Sequence, residues 1–355
     1  MHRERVLVAL SGGVDSAVSA VLLQEQGYEV MAAMLRLWPR SRCCDEKDIE
    51  DAAQICAQLD IPFQVLDYRE AFRQLVVDAF VAEYQSGRTP NPCARCNQFL
   101  KFDALLADAQ AMGATLLASG HYARIEAAAD GIALRRGRDE AKDQSYFLFS
   151  IAAAALPQLR FPVGDLDKQQ VREIARRRGL AVAGKGDSQD ICFVPDGDYR
   201  TFLRNYVGSA VEREGEMVDT QGQVLGTHPG TAHFTVGQRR GLGGGSAQPR
   251  YVVALDVAAN RVVVGGEEAL YCSETRLENC NWLRPMAIGR VIAIEVKLRY
   301  RAPAVAAQLC LDEGGGATLH FPLPQRAVTP GQAAVCYSGD RLLGGGWIAS
   351  SHREC

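Results

Sequence analysis

Residues 5–16 read Arg5-Val6-Leu7-Val8-Ala9-Leu10-Ser11-Gly12-Gly13-Val14-Asp15-Ser16, and this stretch decides the fold. Arg5 to Leu10 is a short apolar run of the kind that forms a strand buried on both faces. Val14 to Gln26 then takes up helical periodicity and is stopped by Gly27. The turn between them, Ser11-Gly12-Gly13-Val14-Asp15-Ser16, carries two glycines that let backbone amides turn inward. Two hydroxyls and a helix N-terminus complete a cradle for a polyphosphate. The Gly-Lys-Ser/Thr core of a Walker loop is absent. Asp15 is an anion and cannot bind phosphate directly; it can hold Mg²⁺ or orient the loop.

Outward from this loop the pattern alternates. Val30 to Leu37 is the next strand. Asp48 to Leu59 is an amphipathic helix with apolar Ile49, Ala52, Ala53, Cys56 and Leu59. Phe63 to Leu66 is a strand, Glu70 to Tyr84 a helix, Gln98 to Met112 a helix and Thr115 to Ala118 a strand. Such alternation predicts an α/β doubly wound parallel-sheet nucleotide-binding domain. After about residue 205 helical periodicity fades. Turn signals recur at Thr220–Gln223, Gly243-Gly244-Gly245, Gly314-Gly315-Gly316 and Gly344-Gly345-Gly346. Between them lie alternating segments such as Val291 to Tyr300 and Ala333 to Tyr337. The expectation is two small β-rich domains, the last a β-barrel, with boundaries giving 1–205, 206–269 and 270–355.

The chain has 355 residues, with 39 Lys plus Arg against 42 Asp plus Glu. That balance excludes a simple basic coat for nucleic acid but leaves room for a basic face. No stretch of about 18 uncharged apolar residues occurs, so no membrane span is expected. The charged start lacks the apolar region of a signal peptide. The 11 cysteines are odd in number and scattered, unlike a secreted disulfide framework. A cytoplasmic protein with mostly reduced thiols is expected.

Two cysteines have notable surroundings. Cys96 ends the segment Thr89-Pro90-Asn91-Pro92-Cys93-Ala94-Arg95-Cys96-Asn97, near the start of a helix, where the helix dipole favours a thiolate. Cys192 lies in Asp187-Ser188-Gln189-Asp190-Ile191-Cys192-Phe193. A cysteine taken alone is more often a small buried hydrophobe.

The loop Ser11–Ser16 resembles that of the pyrophosphatase-loop ATPases, which adenylate an oxygen and release pyrophosphate. The chain as a whole closely resembles the tRNA-specific 2-thiouridylase family. The resemblance rests on that loop, Thr89–Asn97, Gly120-His121-Tyr122, Lys142–Leu148, Asp187–Phe193, Thr235–Leu242, Arg299-Tyr300 and Thr329–Gln332. It implies ATP-dependent 2-thiolation of the wobble uridine of tRNAs for Lys, Glu and Gln. ATP with Mg²⁺ activates the carbon-2 oxygen, and a cysteine desulfurase or sulfur-relay protein supplies sulfur. It makes Cys96 the nucleophile and Cys192 the persulfide carrier, with an alternate Cys96–Cys192 disulfide.

The same resemblance assigns ATP contacts to Ala9, Leu10, Ser11, Gly12, Gly13, Val14, Asp15, Ser16, Leu35 and Gly120. It places the target base among Asn91, Pro92 and Cys93, as base flipping requires a snug loop. It gives tRNA contacts to His121, Lys142, Asp143, Gln144, Arg299, Tyr300 and Gln332. One departure stands out. Many family members have Asp where this chain has Cys93, so Cys93, Cys96 and Cys192 are candidate ligands for a 4Fe-4S cluster that binds hydrosulfide. A zinc site would want a fourth protein ligand, for which Cys43 and Cys44 are candidates. Arg176-Arg177-Arg178 reads as solvated surface. Two rival readings remain: another pyrophosphatase-loop synthetase, which needs no paired cysteines, and an RNA-binding protein that uses ATP as a switch, which needs neither Cys96 nor Cys192.

Overall fold

The computed structural model describes residues 3–39, 46–186, 191–242 and 248–352. Cys43, Cys44, Asp187 to Asp190 and the glycines 243–245 lie outside the described residues.

The first sheet is parallel and has five strands in the order β3-β2-β1-β4-β7. They are β1 (Arg5–Ala9), β2 (Glu29–Arg36), β3 (Phe63–Asp67), β4 (Leu116–Ser119) and β7 (Leu159–Arg160). Val6, Leu7 and Val8 have no exposed surface, as expected of a central strand covered on both faces. The helix Val14–Glu25 buries Val14, Ala17, Val18 and Val21 against Val171 and Ala175 of the helix Lys168–Arg177. The expected Gln98–Met112 helix starts earlier, at Pro92, and runs through a widened turn at Asn97–Ala104 to Ala111.

The periodicity gave no sign of the hairpin β5 (Ala123–Ala128) and β6 (Gly131–Arg136). It leaves the first sheet and joins the C-terminal one, Arg135 pairing with Arg341. A middle sheet has the order β10-β11-β8-β9, built from β8 (Gly215–Val218), β9 (Val224–His228), β10 (Tyr251–Asp256) and β11 (Arg261–Gly265).

The last six strands are β12 (Tyr271–Trp282), β13 (Val291–Lys297), β14 (Val305–Leu311), β15 (Ala317–Arg326), β16 (Ala333–Ser338) and β17 (Arg341–His352). They run β12-β15-β14-β13-β16-β17, and β12 pairs with β17 to close the barrel. The fold class is therefore as the sequence led us to expect, a parallel α/β sheet followed by two β-rich units. The turn expected at Gly344-Gly345-Gly346 is a correction: these residues lie inside β17. A Cβ on Gly344 would stand 2.1 Å from the Asn281 carbonyl oxygen, and one on Gly345 would stand 2.3 Å from that of Ala334. The triplet serves close strand approach at the barrel seam, a second use of glycine in sheets. Among the described residues no helix is long and apolar enough to cross a membrane.

Candidate active site

The strand order reverses at β1, which lies between β2 and β4. Ligands of open α/β sheets sit at the carboxyl ends of the strands at such a point. Ser11 to Ser16 follows β1 there, and Gly120 follows β4. Gly12 holds φ +67, and a Cβ on it would stand 2.8 Å from the Asp48 carbonyl oxygen. Gly13 occupies the N-cap of the helix Val14–Glu25 and brings no side chain over its first amides. The Ser16 hydroxyl donates to the Gly13 carbonyl at 3.1 Å and accepts from the Ser11 amide at 3.2 Å. The loop is thus tied to itself. Its close approach to Gly120 is through backbone: a Cβ there would stand 2.6 Å from the Ser16 nitrogen. Leu35 is buried near the carboxyl end of β2.

Two lysines that the sequence did not flag converge on this loop. Lys168 Nζ donates to both carboxylate oxygens of Asp15 at 2.7 and 2.8 Å, and the Tyr122 hydroxyl donates to Asp15 at 2.8 Å. Lys185 Nζ donates to the Gly12 carbonyl at 2.9 Å, to Asp48 at 2.6 Å and to Asp51 at 2.7 Å. Burial opposes the Lys185 charge, but the two carboxylates outweigh it and raise its pKa. Lys168 lies 153 residues from its partner, so no local spacing could have revealed it. Asp15 is engaged by Lys168 on both oxygens, with 29% of its side chain exposed.

The cysteine segment is built differently. Pro92 opens the short helix Pro92–Cys96, and the Asn91 side chain caps it by accepting from the Ala94 amide at 3.2 Å. Cys96 is buried at the inner end of this turn, while Cys93 reaches solvent. The atoms packed around Cys93 nonetheless raise its thiol pKa, with Lys101 pulling the other way. Cys192 is half-buried. Its neighbour Phe193 is locked among Phe72, Phe80 and Phe202, with ring centroids 5.6, 5.1 and 5.2 Å away. The described cysteines are thiols. Among the described residues no three His, Cys, Asp or Glu side chains gather closely enough to hold a metal ion. Cys93, Cys96 and Cys192 therefore do not form a cluster cage in this conformation.

The residues assigned to RNA divide. Lys142 keeps part of its surface in solvent. Tyr300 lies against Phe147, ring centroids 4.4 Å apart and tilted by 44°, and Arg299 donates to the Ala327 carbonyl and the Thr329 hydroxyl, both at 2.7 Å. Asp143 is buried and accepts from the Gly137 and Ser145 amides and the Ser145 hydroxyl. Gln144 accepts from the Tyr122 amide at 3.0 Å. Gln332 donates to the carbonyls of Thr89 and Pro90 at 3.0 and 3.2 Å. His121 bonds Ser119 at 2.8 Å, and burial, helped by Lys101, holds its pKa well below the usual histidine value. Arg176 and Arg177 are exposed, and Arg178 pairs with Glu25.

Comparison with known proteins follows this geometry. Three family models match in order: a tRNA methyl transferase HUP domain over residues 4–196, a tRNA methyl transferase PRC-barrel domain over 200–266, and an aminomethyltransferase β-barrel domain over 272–348. A tRNA-specific 2-thiouridylase MnmA of Acidithiobacillus ferrooxidans is 67% identical over 98% of this chain and 99% of its own length. One of Magnetococcus marinus is 49% identical over 97% of this chain and 99% of its own. Among solved structures, the U34-tRNA thiolase NcsA from Methanococcus maripaludis, with its [4Fe-4S] cluster, is 20% identical over 58% of this chain and 68% of its own, with a TM-score of 0.36. That likeness carries no argument about chemistry.

Proposed function

The chain belongs to the tRNA-specific 2-thiouridylase family, and from that premise we propose how its residues carry out the family's reaction. The protein is a sulfurtransferase that uses ATP to thiolate carbon 2 of the wobble uridine of tRNA. The acceptors proposed are the tRNAs for Lys, Glu and Gln.

The carbon-2 oxygen of uridine is a poor leaving group. Attack of that oxygen on the α-phosphate of ATP expels pyrophosphate and leaves an adenylate, from which AMP departs easily. Ala9 to Ser16, Leu35 and Gly120 bind the nucleotide, the loop amides facing its phosphates. The observation that carries this reading is the self-tied Ser11–Ser16 loop at the sheet's switch point with uncapped helix amides. Mg²⁺ accompanies ATP and neutralises part of its charge.

Asn91, Pro92 and Cys93 receive the flipped base. A persulfide on Cys192, charged by a cysteine desulfurase or a sulfur-relay protein, attacks carbon 2 through its terminal sulfur, and AMP leaves. The base is then joined to Cys192 through two sulfurs. Cys96 thiolate attacks the Cys192 sulfur, the outer sulfur stays on the base, and a Cys96–Cys192 disulfide results. An external thiol reduces that disulfide. His121, Lys142, Gln144, Arg299 and Tyr300 form the proposed tRNA face; Asp143 is buried behind it and Gln332 is turned onto the Thr89 and Pro90 carbonyls. Cys93, Cys96 and Cys192 as placed do not gather closely enough to hold a cluster. ATP–pyrophosphate exchange in the presence of unmodified tRNA tests the activation half. Exchange that depends on that tRNA is expected, and exchange indifferent to it points to another synthetase. Iron at cluster stoichiometry after anaerobic purification overturns the persulfide half.

A further inference from the structure

The barrel is tied to the cysteine segment through the turn before β16 and through β12. The Gln332 amide donates to the carbonyl oxygens of Thr89 and Pro90 at 3.0 and 3.2 Å. The Thr89 amide donates in turn to the Pro330 carbonyl at 2.8 Å. Between them Gly331 holds φ +87, and a Cβ there would stand 2.8 Å from both the Thr89 nitrogen and the Thr89 oxygen. The turn before β16 is therefore pressed onto the backbone of Thr89. A second tie runs one residue further on. The Tyr146 hydroxyl donates to the Ala333 carbonyl at 3.0 Å and also hydrogen-bonds the Asn91 side chain. A third is the ion pair of Arg88 with Glu278 on β12, at 2.6 Å.

The segment so held leads straight to the reactive thiol. Asn91 caps the helix that bears Cys96, and Pro90 and Pro92 stiffen the chain on either side of that cap. A displacement of the Thr89–Pro90 backbone is therefore passed to the first turn of the helix with little slack. We propose that Gln332 is a positioning residue for Cys96: the C-terminal barrel sets the placement of the thiol through the Thr329–Gln332 turn, as well as presenting a surface to RNA. The Gln332 amide nitrogen is engaged by two protein carbonyls, so donation to a phosphate or a base would compete with this junction. The inference rests on the reading of Cys96 as the thiol that acts in sulfur transfer.

The test uses the full chain and two variants, Gln332→Glu, which keeps the shape but aims a carboxylate at two carbonyls, and Gln332→Met, which keeps the length but donates nothing. The first readout is the rate of iodoacetamide alkylation of Cys96 without tRNA, followed on the Cys96 peptide. The second is the split between kcat and KM for tRNA in thiolation. Expected are a several-fold rise in Cys96 alkylation, as a buried thiol loosens, and a fall of about tenfold in kcat with KM for tRNA unchanged. An unchanged alkylation rate with a raised KM for tRNA overturns the proposal and makes Gln332 an RNA contact. Loss of the cooperative thermal transition in both variants overturns it too, since two bonds on a half-buried side chain would then be holding the fold rather than one thiol. Undiminished thiolation by Cys96→Ser instead sinks the role given to Cys96, while the alkylation arm still reports on the junction.

Discussion

Lys168 and Asp15 form a bidentate ion pair, Nζ to Oδ1 at 2.7 Å and Nζ to Oδ2 at 2.8 Å, at the start of the helix that follows the phosphate loop. The pair joins the helix Lys168–Arg177 to the loop, 153 residues away in sequence. Lys168 is well covered, its side chain 12% exposed, so its charge is only weakly screened by water. Replacement by Met leaves Asp15 the hydrogen bond from the Tyr122 hydroxyl. A charge-assisted bond of this kind is worth about 1.5–3 kcal/mol. Lys168→Met is expected to lower ATP–pyrophosphate exchange by roughly 10- to 100-fold, with Lys168→Arg retaining more. Equal exchange by wild type and Lys168→Met would count against the pair.

Gly120 gives a second prediction. An added methyl at this position meets the backbone of Ser16 at 2.6 Å and of Asp15 at 2.8 Å. Backbone does not swing aside as a flexible side chain does. Gly120→Ala is expected to cost about 1–3 kcal/mol by overpacking and to abolish saturable ATP binding while leaving tRNA binding in place. Calorimetric titration with ATP and gel retardation of tRNA check the two halves.

Phe193 ties Cys192 to the first domain through its ring contacts with Phe72, Phe80 and Phe202. It is 3% exposed. Phe193→Ala is expected to lower unfolding stability by about 3–5 kcal/mol, read from the urea midpoint. In the folded fraction sulfur transfer should fall more than adenylation, since the anchor lies beside the persulfide thiol and not beside the phosphate loop. A loss below about 1 kcal/mol would show the aromatic cluster to be loosely packed.

A pH dependence follows from three histidines. Burial lowers the pKa of His121, His228 and His233. In each case the unfolded chain takes up a proton near pH 6.5 while the folded chain resists it. Their contribution is therefore whole above about pH 6.5 and is lost as pH falls below it, by up to about 1.4 kcal/mol per pH unit for each. Urea midpoints measured from pH 7.5 to 5 should decline below 6.5. A flat profile would mean that these rings accept protons in the folded state.

Much of this was legible in the sequence, for physical reasons that particular residues show. The Arg5–Ser16 stretch declared itself because a two-sided buried strand and a glycine turn leave local marks. The start of the cysteine helix was blurred by Pro92, which opens it ahead of the apolar pattern. The hairpin Ala123–Arg136 pairs locally, Ala128 opposite Gly131, and its run of alanines blurs the alternation that marks a strand; its attachment to the barrel, Arg135 to Arg341, is a long-range pairing that no local pattern encodes. Lys168 and Lys185 were silent for the same reason: each acts through a long-range bond that no spacing encodes. Gly344 to Gly346 were misread because glycine marks a turn and a crowded strand seam with the same letter.

The central claim is that Cys192 hands sulfur to an ATP-activated wobble uridine, and mass spectrometry of the tRNA tests it most directly. The chain is incubated with unmodified tRNA, ATP, Mg²⁺ and a desulfurase-generated persulfide, with Cys192→Ser beside it. The expected result is the mass gain of a sulfur-for-oxygen exchange at the wobble uridine with the wild type, dependent on ATP, and none with Cys192→Ser. An undiminished gain with Cys192→Ser, or no gain with the wild type, would contradict the account.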